Sequence, residues 1–445
     1  MPEAYYLISD LHIGGDEQLR QVDFLEELVA FLRDLETTDE DAELILAGDA
    51  FGLWEFTEVD GPAKFDALLD RYPELFEQVR ATGERIPVTL IPGNHDYELA
   101  AYDEYVDRLA EYNVTLEQEI AIERPVGEHL LHVEHGMQED PNNRIPDFGN
   151  PYANPPGYFV NRQITSRAGR LSGRGKYNWL KDIQAVTPMT QIPDWLISNY
   201  FYREMSAWLR FVVVPFLLLF NAALWYLGIY ALDRLGVWSL PMAVVQNALE
   251  LFGPVGRLVD IFLGANLVLA GLLLVIAVPL SVFARDVRQT LRRFGLVRAT
   301  GDEDEDPVEK YLDRARDVFA ANPAVAVYVY GHTHRPAVTE VEDRVVLNTG
   351  TWLKRLRRVE GLFGIVPPVY YSSYQLNYFR VTAAEGSDGV RVEYEVIEKA
   401  DPDEETLLQR LLTRAPKRRV AIPEETVVSP GRDERSEHQE SPPTE

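Results

Sequence analysis

The sequence predicts a layered α/β fold interrupted by an apolar helical insertion. Strand-like apolar runs alternate with amphipathic helical patterns from residue 1 to about 135. Two long runs without a charge occupy the middle of the chain, and the alternation resumes after about residue 305. Alternation of this kind builds βαβ units, in which helices cover a sheet.

Taken in order, Ala4–Ser9, Glu43–Ala47, Pro87–Ile91 and Leu130–Glu134 are the early strands, each short and apolar. Between them Gln18–Leu35, Lys64–Thr82 and Ala100–Tyr112 carry apolar residues at helical spacing. Residues 141–200 form a Pro/Gly-rich connector. Between Pro141 and Lys181 it holds seven basic residues (Arg144, Arg162, Arg167, Arg170, Arg174, Lys176, Lys181) against one acid, Asp147. Residues 201–300 are the insertion. Phe211–Leu232 has 22 residues without a charge and Ile261–Ala284 has 24. Each is long enough to cross a hydrocarbon core of roughly 30 Å as a helix. Val237–Leu249 is apolar but too short to span, and reads as interfacial or re-entrant. A buried helical hairpin in a soluble cap is the alternative.

Residues 301–400 resume the first pattern. Pro307–Ala321 reads as a helix, then Ala324–Tyr330, Arg344–Asn348, Asn377–Thr382 and Val390–Ile397 as strands. A second basic cluster, Lys354, Arg355, Arg357 and Arg358, leads into apolar Gly361–Tyr371. Residues 401–445 read as a mostly disordered acidic tail with a short helix near Glu404–Thr413. One domain is therefore expected in two parts, 1–140 and 301–400. Arg203 and Arg210 precede the first span, and Arg285, Arg288, Arg292 and Arg293 follow the second. That bias puts both flanks, the domain and both termini in the cytoplasm. An even number of spans is required if both parts are to share one site.

Composition narrows the chemistry. The absence of cysteine excludes thiolate ligands, disulfides and cysteine nucleophiles. The start of the chain passes straight into a strand, so no cleaved signal peptide is expected. A net charge of −28 disfavours nucleic acid as a partner. The 36 arginines against 7 lysines, with 71 acids, fit a protein soluble in concentrated salt, as in a halophilic archaeon. An ordinary acidic protein is the alternative.

Five of the eight histidines fall in short motifs after strand-like runs. The motifs are Asp10-Leu11-His12, Gly48-Asp49, Gly93-Asn94-His95-Asp96, His135-Gly136 and Gly331-His332-Thr333-His334. Imidazole, carboxylate and amide donors together suit Mn, Fe or Zn, and there are enough to hold two ions around one shared carboxylate. Residues two apart on a strand share a face, so Asp10 with His12, and His332 with His334, can each grip one ion. Glycines 48, 93, 136 and 331 permit tight turns. A two-metal centre is a standard device for in-line displacement at phosphorus.

These blocks, in this order over residues 1–140 and 320–400, closely resemble the calcineurin-like metallophosphoesterase superfamily. The resemblance implies an αββα two-sheet sandwich. It implies two divalent cations, Mn first with Fe or Zn as alternatives. Asp10, His12, Asp49 and His334 would hold one, and Asp49, Asn94, His135 and His332 the other. It implies attack in line by a hydroxide bridging the two ions. His95 would be the non-ligand imidazole that assists the leaving oxygen, and Asp96 would orient it. Asp49-Ala50-Phe51-Gly52-Leu53-Trp54 and Gly331–Pro336 are similar to the UDP-2,3-diacylglucosamine pyrophosphohydrolase-like branch. That branch usually has an acid where Gly52 stands and an aspartate directly after the His-Gly block, where this chain has Met137.

The expected function is that of a membrane-anchored phosphohydrolase acting on a lipid-linked or nucleotide-linked phosphoester or pyrophosphate, with membrane lipids as partners. Arg335 is the foremost phosphate-binding candidate, followed by Arg162, Arg167, Arg170 and Arg174 of the connector; ordinary juxtamembrane charge is the competing reading for the latter. A phosphatase for soluble nucleotides or phosphoproteins, merely anchored, is the second reading. A non-catalytic membrane scaffold is the third.

Overall fold

The structure is a computed structural model that describes residues 2–16, 22–165, 181–186, 191–293, 308–361, 366–384, 388–413 and 419–431. Its strands in chain order are β1 (Ala4–Ile8), β2 (Ala42–Ala47), β3 (Val88–Ile91), β4 (Val114–Leu116), β5 (Ala121–Val126), β6 (His129–Glu134) and β7 (Val325–Tyr330). There follow β8 (Ala337–Val341), β9 (Arg344–Asn348), β10 (Arg355–Val359), β11 (Val369–Ser373), β12 (Leu376–Ala383), β13 (Val390–Ile397) and β14 (Glu425–Val428).

Seven strands form one sheet in the order β14-β13-β12-β1-β2-β3-β4, and five form a second in the order β5-β6-β7-β9-β8. Side-chain alternation stacks them. Tyr5, Leu7, Ile45, Ala47 and Phe379 of the first sheet pack with Leu131, Val133, Val327, Val329 and Leu347 of the second. The intervening residues Ala4, Ile8 and Leu44 turn outward onto Leu28, Leu32, Phe65 and Phe76 of helices. On the far face of the second sheet, Tyr328, Tyr330 and Val346 meet Tyr311, Ala315 and Phe319 of the helix Glu309–Ala321. The order of layers is helix, sheet, sheet, helix, so the two halves of the chain close into one sandwich. β1 lies between β2 and β12. Arg380 of β12 adds an ion pair to Glu40 from the first half, and Glu40 also accepts from the Tyr6 hydroxyl at 2.7 Å.

The expected helix Lys64–Thr82 is two, Ala63–Arg71 and Pro73–Arg85, because Pro73 has no N–H to continue the first and opens the second. Ala100–Tyr112 likewise divides into Glu98–Ala101 and Glu104–Ala110. The basic run at 355–358 is strand β10, paired antiparallel to β11. The stretch expected to be mostly disordered contributes structure through residue 431. A helix Leu407–Leu412 starts at a Thr406–Gln409 capping box, and β14 pairs with β13 at the sheet edge.

The insertion is helical: Ala207–Arg234, Leu240–Leu251 and Gly253–Arg293. Among the described residues one stretch, Gly253–Leu273, is long and apolar enough to cross a membrane. Large apolar side chains are exposed on these helices, such as Trp208 and Trp225, and in the turn between the first two, Leu235 and Trp238.

Candidate metal centre

The parallel strands β1, β2 and β3 end side by side in one sheet, and β6 and β7 end side by side in the other. The loops leaving these five ends carry all the motif residues, and they meet along one edge of the sandwich. Asp10 and His12 do not sit on β1, which stops at Ile8, nor His332 and His334 on β7, which stops at Tyr330. Strand alternation is therefore not what aims them. Asp10, His12, Asp49, His332 and His334 have φ of 53°, 47°, 53°, 64° and 58°. Left-handed backbone is uncommon for these residue types and marks a segment held by its surroundings. Part of that hold is visible: Asp10 N–H donates to Gly48 O at 3.1 Å and His12 N–H to Asp49 O at 2.9 Å.

The side chains form adjoining groups. His334 Nε2 lies 3.2 Å from Asp10 Oδ1, and His12 Nε2 lies 3.1 Å from His334 Nε2. Asp49 Oδ2 lies between the groups, 3.7 Å from His12 Nε2 and 3.2 Å from His135 Nε2. Asn94 Oδ1 faces His135 Nε2 at 3.2 Å. The ligand atoms of Asp10, His12 and His334 fall within 4.8 Å of one another, as do those of Asp49, His135 and His332. The backbone carbonyl of Ala47, 2.9 Å from His135 Nδ1, accepts its proton and leaves Nε2 free as a donor atom for a metal. Gly48 is required by this closeness: its φ is 87°, and a Cβ there would lie 2.5 Å from His135 Nδ1.

The charges test whether the donors fit cations. Asp10 and Asp49 are fully buried, yet among the described residues neither has an ion pair to lysine or arginine. Burial alone would raise both carboxyls, but the histidines around them hold both below the usual aspartate range. Burial, reinforced by His95, pushes His12 down to about 3, so its ring is neutral and able to ligate. Among the described residues the only positive charge these buried carboxylates meet is on imidazole: against burial, Asp49 pushes His135 up to about 10. A divalent cation would take the place of that proton and leave the ring a ligand. The donor set fits.

His95 stands beside the groups. Its backbone N–H donates to Asp49 Oδ1 at 2.7 Å, and its ring lies 4.6 Å from that of Trp54. Its Nδ1 pairs at 2.8 Å with Glu55 Oε1, not with Asp96 as expected. Asp96 faces the other way and accepts backbone N–H groups from Gly93 at 2.6 Å, Phe51 at 3.2 Å and Asp49 at 3.3 Å. It braces two loops. Burial would lower the His95 pKa, but the carboxylates of Glu55 and Asp49 outweigh it and raise it to about 9.

Three further residues belong here that the motifs did not single out. Glu55 is fully buried and also accepts from Asn161 Nδ2 at 3.0 Å, so the connector reaches the site through Asn161. A Cβ on Gly52 would lie 3.0 Å from Glu55 Oε2, so the glutamate occupies the space a side chain at position 52 would fill. Asp140 Oδ2 lies 3.1 Å from His332 Nε2, although the place directly after His135-Gly136 is Met137. Glu55 directly follows the block that ends at Trp54; Asp140, with Glu139, stands only near the place after His135-Gly136 where an aspartate is usual, and nothing in the spacing announces Asn161.

A cleft of about 320 Å³ opens over these groups. Its floor is His12, Asp49, Asn94, His95, His332 and His334; Lys310 and Arg335 lie on its wall. Ile183, Val186 and Ile192 form an apolar side. Arg162 is not on the cleft: its guanidinium is engaged by Tyr158 Oη at 3.1 Å and Asp60 at 3.7 Å. Arg167, Arg170 and Arg174 lie outside the described residues.

Residues 5–223 match the calcineurin-like phosphoesterase family, and His332 and His334 lie beyond the matched span. No curated protein matches the chain. Among solved structures, the chain is similar to a conserved uncharacterized protein of Streptococcus pneumoniae TIGR4, described as a predicted phosphoesterase, at 10% identity and a TM-score of 0.28 over 90% of this chain and 97% of that one. It is also similar to Vps29 of Cryptosporidium parvum, at 11% identity and a TM-score of 0.24 over 89% and 99%. Wild-type Vps29 of Entamoeba histolytica complexed with Zn²⁺ matches at 10% identity and a TM-score of 0.23 over 88% and 98%.

Proposed function

We propose, from the premise that residues 5–223 carry a calcineurin-like phosphoesterase domain, that this metal-dependent phosphoester hydrolase acts at a membrane surface on an amphiphilic phosphoester or pyrophosphate. The observation that carries the reading is the two-sided cleft. Metal-ligand types line its floor, while Ile183, Val186 and Ile192 line one side. Those apolar residues belong to the segment leading into the helix Ala207–Arg234, so the apolar half of a substrate would lie toward the insertion. The stretch Gly253–Leu273 supports anchoring of the chain in the bilayer.

Asp10, His12, Asp49 and His334 would hold one divalent cation, and Asp49, Asn94, His135 and His332 a second. Bound there, such ions neutralise phosphoryl oxygens and make water a nucleophile near neutral pH. The protein's own groups do the rest. His95, kept protonated by Glu55, gives its proton to the departing oxygen. Trp54 under the His95 ring and Asn161 on Glu55 fix that donor in place. Asp140 holds the His332 ring from the opposite side. Borderline donors favour Mn, Fe or Zn over Mg or Ca.

The test is turnover by the full chain reconstituted in vesicles and supplied with each metal. Lipid-linked diphosphates and phosphodiesters are compared with water-soluble nucleotide esters. Faster release from the lipid substrates supports the reading; equal rates would leave a hydrolase of soluble esters with an anchor.

A further inference from the structure

Lys354 is buried, whereas Arg357 and Arg358 of the same basic cluster are exposed. A lysine is seldom buried unless it is paired. Its Nζ lies 2.9 Å from Glu404 Oε1, 3.1 Å from Asp182 Oδ1 and 3.9 Å from Asp23 Oδ2. The three carboxylates come from distant stretches of chain. Asp23 precedes the first helix, Leu25–Glu36; Asp182 stands in the connector; Glu404 precedes the helix Leu407–Leu412. Arg203, 3.6 Å from Glu404 Oε2, adds the segment that enters the insertion. Burial alone would lower the Lys354 pKa, but Asp182 and Glu404 outweigh it and hold it above the ordinary lysine value.

The neighbours of this pair face the substrate. Leu353 and Ile183, each one residue away from it, both line the cleft. Ile183 and Val186 pack with Trp195 and Tyr370. Leu353 N–H donates to Thr351 Oγ1 at 3.1 Å, and the Thr351 hydroxyl donates to Asp10 O at 2.7 Å. The loop from β9 to β10 thus touches the backbone of a metal ligand at one end and grips the connector at the other.

We infer that Lys354 is a positioning residue for substrate selection: its ion pair with Asp182 fastens the apolar side of the cleft beside the metal centre and so sets the preference for esters that carry an alkyl chain. This role presupposes the amphiphilic substrate proposed above and names what holds its apolar half in register. Each methylene buried against Ile183, Val186 and Leu353 strengthens binding by roughly fourfold. Loosening that side by two methylenes' worth of contact costs about tenfold.

The experiment compares full-length, metal-supplied wild type with Lys354→Met and Asp182→Asn on two probes, methyl 4-nitrophenyl phosphate and octyl 4-nitrophenyl phosphate. The scissile bond and the leaving group are the same in both, so the ratio of kcat/KM values reads the alkyl chain alone. Wild type is expected to prefer the octyl ester. Each variant is expected to lower that preference by about tenfold, mainly through the KM of the octyl ester. Lys354→Met leaves buried carboxylates unpaired and can fail to fold. Asp182→Asn leaves Lys354 with Glu404, so it reports in either case. A ratio within about twofold of wild type in Asp182→Asn, including one in which both rates fall together, overturns the role of the ion pair alone. Wild type without a preference for the octyl ester overturns the amphiphile reading and this role with it.

Discussion

Glu55→Gln separates an oriented His95 from a merely adjacent one. In the wild type a carboxylate oxygen of buried Glu55 faces Nδ1 of the partly exposed His95 at 2.8 Å. A hydrogen bond to a charged partner contributes about 1.5–3 kcal/mol, equivalent to roughly 10- to 150-fold in rate if it is lost from the transition state. Glutamine keeps the shape, and its carbonyl oxygen can still accept from His95 or from Asn161. It no longer stabilises an imidazolium. Its NH₂ would also occupy the site of Glu55 Oε2, which is buried and has no hydrogen-bond partner. That adds about 1–3 kcal/mol of instability from an unsatisfied donor. The expected outcome is a kcat on bis(4-nitrophenyl) phosphate lower by about 30-fold with little change in KM. The alkaline limb of the pH–rate profile moves to lower pH, because losing the carboxylate lowers the His95 pKa. Metal content, measured in parallel, stays at the wild-type level. A kcat within about twofold of wild type at unchanged metal content would refute the assignment of Glu55 as the residue that positions His95.

Asp96→Asn is expected to act mainly on stability, lowering it by about 2–3 kcal/mol in urea unfolding, because its oxygens hold three backbone N–H groups and not His95. A kcat loss without loss of stability would return Asp96 to a role on His95. Gly48→Ala places a methyl group against the His135 ring and forces a strained φ, so metal affinity measured by competition with a chelator should fall at least about tenfold; wild-type affinity would contradict the packing. Glu40→Gln tests the seam between the two halves of the domain. Hydrogen bonds from Arg380 and Tyr6, opposed by burial, hold the Glu40 carboxyl below the usual glutamate range. Its contribution is therefore full above the ordinary glutamate value and disappears as pH falls through the depressed one. Because the pair is partly exposed, the variant should lose about 0.5–1 kcal/mol at pH 7, and the difference should vanish in acid. A difference that does not vary with pH would show that the ion pair does not link the halves.

The layers were legible because each early strand is a short apolar run and each helix face repeats at helical spacing. The early strands fall within a residue or two of their expected ends. What escaped had local causes. Pro73 divides a helix whose apolar periodicity runs on without a break. β10 hides behind three arginines, because a strand exposed at 357–358 and paired only to β11 needs no apolar alternation. β14 is an edge strand of four residues in an acidic stretch, found only through its pairing with β13. At the site, the motif residues were readable as chemistry, but not the means of their convergence. Left-handed turns at Asp10, His12, Asp49, His332 and His334 aim the side chains, and no spacing rule encodes them. Glu55, Asp140 and Asn161 act through tertiary contacts, to which a linear motif is blind.

That cations neutralise buried Asp10 and Asp49 is tested most directly by elemental analysis of the purified, folded chain. Wild type is expected to hold about two borderline divalent ions per chain, with Asp49→Asn losing both because its carboxylate faces each group. Wild type that carries none and takes up none on incubation with Mn, Fe or Zn would contradict it.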